Sequence, residues 1–125
     1  VDSELLERGI KNVLVIGPLP HWNPTLPETL IRFWPNLPSR TYLGLQEEFA
    51  QLDAELKELL EPIDGVTYLS PIGILCNDQG CLTTVGENHT DFITQWDDAH
   101  LSPNASLYLI GEALKLQSIK QLFEN

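Results

Sequence analysis

Asp97-Asp98-Ala99-His100-Leu101-Ser102 sets a carboxylate three residues before a histidine, on a turn that feeds a helix. At that spacing Asp97 can accept a hydrogen bond from one ring nitrogen of His100. The other nitrogen is then left as a base facing a cleft. A histidine held in this way can take a proton from a hydroxyl nucleophile. Asp97 and His100 are therefore the candidate catalytic pair, with His100 as general base and Asp97 as the group that orients it. The competing reading is a non-catalytic α/β binding or interaction module, in which Asp97 and His100 are only a structural turn.

The elements around the turn follow from local pattern. Ser102 is a good helix N-cap and Pro103 a good first helical residue. Leu109, Ala113, Leu116, Ile119 and Phe123 recur as the buried stripe of a last helix, with Ile110 and Leu114 widening it. Residues 81–85 and 92–96 read as two short strands around Gly86-Glu87-Asn88-His89, a hairpin before that helix. Earlier, Asn12 to Gly17 is an apolar, β-branched run, expected as a strand buried on both faces of a parallel sheet. Leu45, Phe49, Leu52, Leu56 and Leu59 form an amphipathic helix ended by Pro62 and Gly65, and Val66 to Leu69 is the next strand. Strand, helix, strand implies a parallel crossover. Residues 2–8 read as the end of a helix stopped by Gly9, and residues 27–34 as a short helix stopped by Pro35.

Pro18-Leu19-Pro20-His21-Trp22-Asn23-Pro24 cannot continue the first strand, because proline lacks the ladder donor. It forms a loop at the C-terminal end of that strand, the edge where open α/β sheets bind ligands. His21 and Trp22 are the candidate substrate-binding residues, with Trp22 and Trp34 offering rings for sugar stacking. The expected architecture is α/β, a partial three-layer αβα parallel sheet of flavodoxin-like type, with a small hairpin before the last helix. Residues 1–125 are read as one domain.

With 18 acidic and 7 basic residues the formal net charge is −11, which leaves no basic stripe for nucleic acid or an anionic membrane surface. No apolar run approaches the roughly 18 residues of a spanning helix. The chain contains no methionine and starts at Val1, so it is expected to be part of a longer protein. Cys76 and Cys81 flank Asn77-Asp78-Gln79-Gly80, a turn-prone stretch across which the two thiols can meet. A disulfide is expected there, and it places the domain in an oxidising compartment. Two reduced, buried cysteines are the alternative. A zinc site would need Cys76, Cys81, His89 and His100 together, at spacings unlike the common ribbons. No metal or cofactor is expected.

Asp97-x-x-His100-Leu101-Ser102, preceded by Leu75-Cys76 to Gly80-Cys81, resembles the end of an SGNH (GDSL-type) hydrolase or acyltransferase domain. It is most similar to the extracytoplasmic SGNH domains fused to bacterial membrane O-acyltransferases that O-acetylate surface polysaccharides. Val13 to Pro20 resembles the family strand that precedes this region. The resemblance implies an SGNH-type fold, an acyl (acetyl) ester donor, a saccharide acceptor, and His100 and Asp97 as base and orienting acid. It also implies a periplasmic or extracytoplasmic location with a parent in the bacterial inner membrane. The family's Gly-Asp-Ser nucleophile block and its Gly and Gly-x-Asn-Asp oxyanion blocks have no counterpart here. Ser3, Ser39, Ser70, Ser102, Ser106 and Ser118 all lie in other settings. The chain is therefore expected to be the C-terminal portion of such a domain, with its nucleophile in a missing N-terminal half. Self-association through an uncovered sheet edge is expected of the isolated chain, together with inactivity on simple acetyl esters.

Overall fold

Two runs of β-branched and apolar residues pair side by side in the computed structural model, in which residues 7–86 and 92–124 are described. Strand β1 (Val13–Ile16) is followed by helix α1 (Leu26–Ile31), strand β2 (Arg40–Thr41), helix α2 (Glu47–Leu60) and strand β3 (Val66–Leu69). β1 and β3 are parallel, in register from Val13↔Val66 to Ile16↔Leu69. Thr25 caps α1 by accepting from Glu28 N–H, and Pro27 sits in its first turn. Glu47 and Glu48 in the first turn of α2 and Lys57 in its last complement the helix dipole.

The rest of the chain adds helix α3 (Pro71–Leu75), strands β4 (Cys76–Asn77), β5 (Gly80–Leu82), β6 (Thr84–Val85) and β7 (Phe92–Ile93), then helices α4 (Pro103–Ala113) and α5 (Gln117–Phe123). β2, β5 and β4 form a small antiparallel sheet, and β6 pairs antiparallel with β7. The hairpin expected before the last helix is thus present. Its tip, with His89, lies outside the described residues, as does most of the helix expected over residues 2–8. Among the described residues, no helix is long and apolar enough to cross a membrane.

Side-chain alternation along β3 explains the layering. Tyr68 points to α2, where its hydroxyl donates to Asp53 at 2.8 Å. Leu69 points to the opposite face and packs with Ala113 and Ile119 of α4 and α5. The parallel pair therefore lies between α2 and the C-terminal helices, the three-layer αβα arrangement. A second cluster of Trp22, Leu26, Leu30 and Cys81 fills the space between α1 and the disulfide hairpin.

Four expectations are corrected in detail. β1 is not buried on both faces: Leu14 is 39% and Ile16 61% exposed. These two share the Leu69 face of the sheet and line an open apolar groove of about 360 Å³ with Leu109, Ile110, Leu114 and Phe123. The inward stripe of α2 is Phe49, Asp53, Leu56 and Leu60, whereas Leu52 and Leu59 face solvent. A carboxylate is tolerated in that stripe because Tyr68 and Ser70 hydroxyls both donate to it at 2.8 Å. Burial, with the Asp53 carboxylate beside it, pushes the Tyr68 phenol above its ordinary range. The last helix breaks at residues 114–116 into α4 and α5, leaving Leu116 and Phe123 exposed. The expected strand over 81–85 is two strands in different sheets, with Thr83 between them donating its hydroxyl to Pro38 O.

Cys76 and Cys81 are directly opposed on β4 and β5 and are joined by a disulfide. Arg40 clasps the same hairpin, donating to Leu75 O at 2.9 Å and Gly80 O at 3.2 Å. The tight turn needs Gly80: its φ is +113°, and a Cβ there would stand 2.4 Å from the Thr41 carbonyl carbon. Thiol titration in denaturant without reductant is expected to find no free thiol. Because the closed loop is short, reduction should lower stability by only about 2 kcal/mol. Two titratable thiols would contradict the pairing.

Candidate active site

The segment from residue 95 to residue 101 is pinned at both ends before any side chain is considered. Gln95 and Leu101 form an antiparallel bridge, and Ser102 N–H donates to Thr94 O at 2.8 Å. Between them the chain must turn sharply, and the Asp97 carboxylate organises the turn. Its Oδ1 accepts from the backbone N–H of Ala99 at 2.8 Å and of His100 at 2.7 Å. Its Oδ2 lies 2.6 Å from Nδ1 of His100. Ser102 then caps α4 by accepting from Ala105 N–H at 3.2 Å, with Pro103 in the first turn.

This arrangement assigns the imidazole roles. An ionised carboxylate only accepts, so Nδ1 carries the proton and Nε2 is the free base. The His100 side chain is 76% exposed, and among the described residues no group is bonded to Nε2. The two backbone N–H bonds, from His100 and then Ala99, with the ring bond added, hold the Asp97 carboxyl down at about 2. A folded value below the unfolded one means that Asp97 contributes stability above the unfolded range. That contribution is lost as pH falls through the folded value, towards pH 2. Carboxyl titration followed by NMR is expected to show Asp97 ionised at pH 3.5, where an ordinary aspartate is largely protonated. An unshifted Asp97 titration would contradict the turn.

The Pro-rich loop leaving the C-terminal end of β1 packs against this turn. Trp22 N–H donates to Asp98 O at 2.8 Å and Leu26 N–H to Asp97 O at 3.3 Å. The pair thus sits beside the sheet edge to which the loop is attached. His21, on the same loop, is half-buried and stacks flat on Phe49, with ring centroids 3.6 Å apart.

Trp22 corrects the expectation of a substrate-binding ring. It is 1% exposed, lies in the core with Leu26, Leu30 and Cys81, and donates its indole N–H to Gln95 Oε1 at 2.6 Å. Neither ring face is open to a sugar. Trp34 is 71% exposed, beyond the end of α1. Gln95 was not marked by the sequence, where it reads as one polar position in a strand, yet its side chain joins the loop to the turn.

The zinc set does not assemble, because Cys76 and Cys81 are bonded to each other and offer no thiolate. Asp97, Asp98 and His100 can place ligand atoms within 4.8 Å of one another. The Asp97 oxygens and His100 Nδ1 already bond each other and the turn backbone. Nor, among the described residues, is a serine hydroxyl hydrogen-bonded to His100. Ser70 Oγ donates to Asp53 and accepts from Gly73 N–H, Ser102 Oγ caps α4, and Ser106 Oγ donates to Ser102 O.

Comparison with known proteins identifies the family. Residues 3–115 match the family model described as "SGNH domain (fused to AT3 domains)". The periplasmic domain of a lipopolysaccharide acetyltransferase from Salmonella ser. Paratyphi A is structurally similar, with a TM-score of 0.71 and 33% sequence identity. The similarity covers 83% of this chain and 41% of that one, so the chain spans less than half of its length. No curated protein matches the chain. The αβα layering and the family match together establish that this chain belongs to the SGNH domains fused to AT3 domains.

Proposed function

We propose that this chain is the base-bearing, C-terminal portion of an SGNH domain that moves an acyl group, most simply acetyl, from an ester donor to a cell-surface saccharide. The observation that carries the reading is the ordered His100–Asp97 pair, with the ring exposed and, among the described residues, no serine hydroxyl bonded to it. A serine on another segment of the parent protein attacks the donor's acyl carbonyl while Nε2 of His100 takes its Oγ proton. Asp97 stabilises the imidazolium. Collapse of the tetrahedral intermediate expels the donor oxygen, which leaves with that proton. A saccharide hydroxyl then gives its proton to Nε2 and attacks the acyl-serine, and the proton returns to Oγ. Water in place of the saccharide makes the same site an esterase. On this reading His21, beside the turn, belongs to the wall of the substrate cleft.

The uncovered Leu14 and Ile16 face of β1 supports a partner segment packed there, since buried apolar surface is worth about 25 cal/mol per Å². Until that segment is present the same face favours self-association of the isolated chain. The disulfide, the periplasmic relative and the family's AT3 fusion support an extracytoplasmic domain with its parent in the bacterial inner membrane.

The test compares the purified 125-residue chain with the full parent protein on simple acetyl esters. The chain alone is expected to give no turnover above buffer, and the parent to give turnover that requires His100. Turnover by the isolated chain, abolished in His100→Ala, would place the nucleophile within these residues and overturn the division of the site.

A further inference from the structure

Among the buried polar side chains, Gln95 stands out because its three hydrogen bonds tie two distant loops together. It is 1% exposed. Its Nε2 donates to Pro20 O at 2.8 Å and to Ala99 O at 2.7 Å, and its Oε1 accepts from Trp22 Nε1 at 2.6 Å. The indole N–H can only donate and both carbonyls can only accept, so the amide has one workable orientation. Pro20 and Trp22 belong to the loop at the end of β1, and Ala99 to the turn between Asp97 and His100. One amide therefore holds the far side of the turn that Asp97 organises from within.

We propose that Gln95 is a positioning residue for the His100–Asp97 pair, setting the turn so that the carboxylate meets Nδ1 and Nε2 stays free. The proposal rests on the reading of His100 as general base, which it deepens. Asp97 closes the turn on its exposed side through Ala99 and His100 N–H. Gln95 holds the Ala99 carbonyl on the buried side. With both, the peptide between Ala99 and His100 is gripped from both ends. Without Gln95, the carbonyls of Pro20 and Ala99 and the indole N–H lose a buried partner, and the turn must move to reach water. Gln95 is the side chain that bonds both carbonyls.

The experiment reads the imidazole directly. Long-range nitrogen–proton NMR spectra of the 125-residue chain, recorded with the ring neutral, report which nitrogen of His100 carries the proton. The wild type is expected to show the Nδ1–H form, and Asp97→Ala to lose it. Gln95→Leu is expected to move the ring most of the way to the Asp97→Ala mixture. Ile119→Ala, a cavity in the core away from the turn, is expected to leave it unchanged at comparable loss of stability. If Gln95→Leu does not fold, Gln95→Glu serves instead, since a carboxyl group, even protonated, has a single O–H and cannot donate to both Pro20 O and Ala99 O. An unaltered His100 ring in whichever folded variant is measured overturns the proposal.

In the parent protein the same substitution should lower kcat by on the order of 10²-fold with KM little changed, the cost of a misplaced base. A change in KM alone counts against positioning. If Gln95→Leu shifts the ring while His100→Ala leaves acyl transfer intact, positioning stands and the catalytic reading falls. If His100→Ala abolishes transfer while Gln95→Leu leaves the ring alone, only the role of Gln95 falls.

Discussion

Replacing His100 by alanine in the intact parent protein is expected to lower kcat by on the order of 10⁴-fold or more, with little change in stability. Without Nε2 no group takes the proton from the attacking hydroxyl, and none returns it to the departing oxygen. The fold should be indifferent, because the ring is 76% exposed and its one side-chain bond is to Asp97. Asp97→Asn should cost on the order of 10³- to 10⁴-fold, since an amide cannot stabilise the imidazolium as a carboxylate does and favours the wrong tautomer. Because the two residues act as one unit, the double variant should be no slower than about the His100 variant alone. Single-turnover acyl transfer, with circular dichroism and membrane abundance as controls, checks all three. Transfer within about twofold of wild type in His100→Ala would remove the base from the mechanism.

Trp22→Ala is expected to destabilise the chain by about 3–5 kcal/mol, because it opens a cavity among Leu26, Leu30 and Cys81. It also strands Gln95 Oε1, whose donor is the indole N–H. Against a typical total of about 5–15 kcal/mol, that loss leaves a marginal protein. Trp22→Phe keeps most of the ring volume and loses mainly the hydrogen bond, so about 1–3 kcal/mol is expected. Urea denaturation midpoints measure both. If Trp22 were a sugar platform, Trp22→Ala would change stability by no more than about 0.5 kcal/mol and weaken saccharide binding instead.

The contrast between His100 and Trp22 shows where sequence reading succeeds. Asp97 and His100 are three residues apart, and so few backbone angles separate them that spacing alone brings their side chains within reach. The Ser102 cap, the Pro103 start, the Cys76–Cys81 loop and the β1, α2, β3 order are local in the same sense, and the structure contains each of them. Resemblance to the SGNH family rested on those same short motifs and agrees with the family match.

Contacts between distant segments were decided only by packing. Trp22 and Gln95 lie 73 residues apart, and nothing in either neighbourhood marks the other. A tryptophan on a Pro-rich loop reads as exposed until the loop is seen folded onto α1 and the hairpin. Asp53 looks like a surface position of α2 until Tyr68 and Ser70 turn their hydroxyls to it from β3 and the residue after it. The helix pattern over residues 103–123 says nothing of the break that separates α4 from α5. An uncovered sheet edge was expected, but not which face opens, because Leu14 and Ile16 are as apolar as buried strand residues and only the absence of a neighbour in the described structure distinguishes them. By itself the sequence determined the Asp97–His100 contact, the disulfide hairpin and the strand–helix–strand frame, each set by near-neighbour geometry. Tertiary structure alone decided which side chains bond the turn that carries His100 and which face of the sheet stays open, because those depend on segments that meet only when the chain is folded.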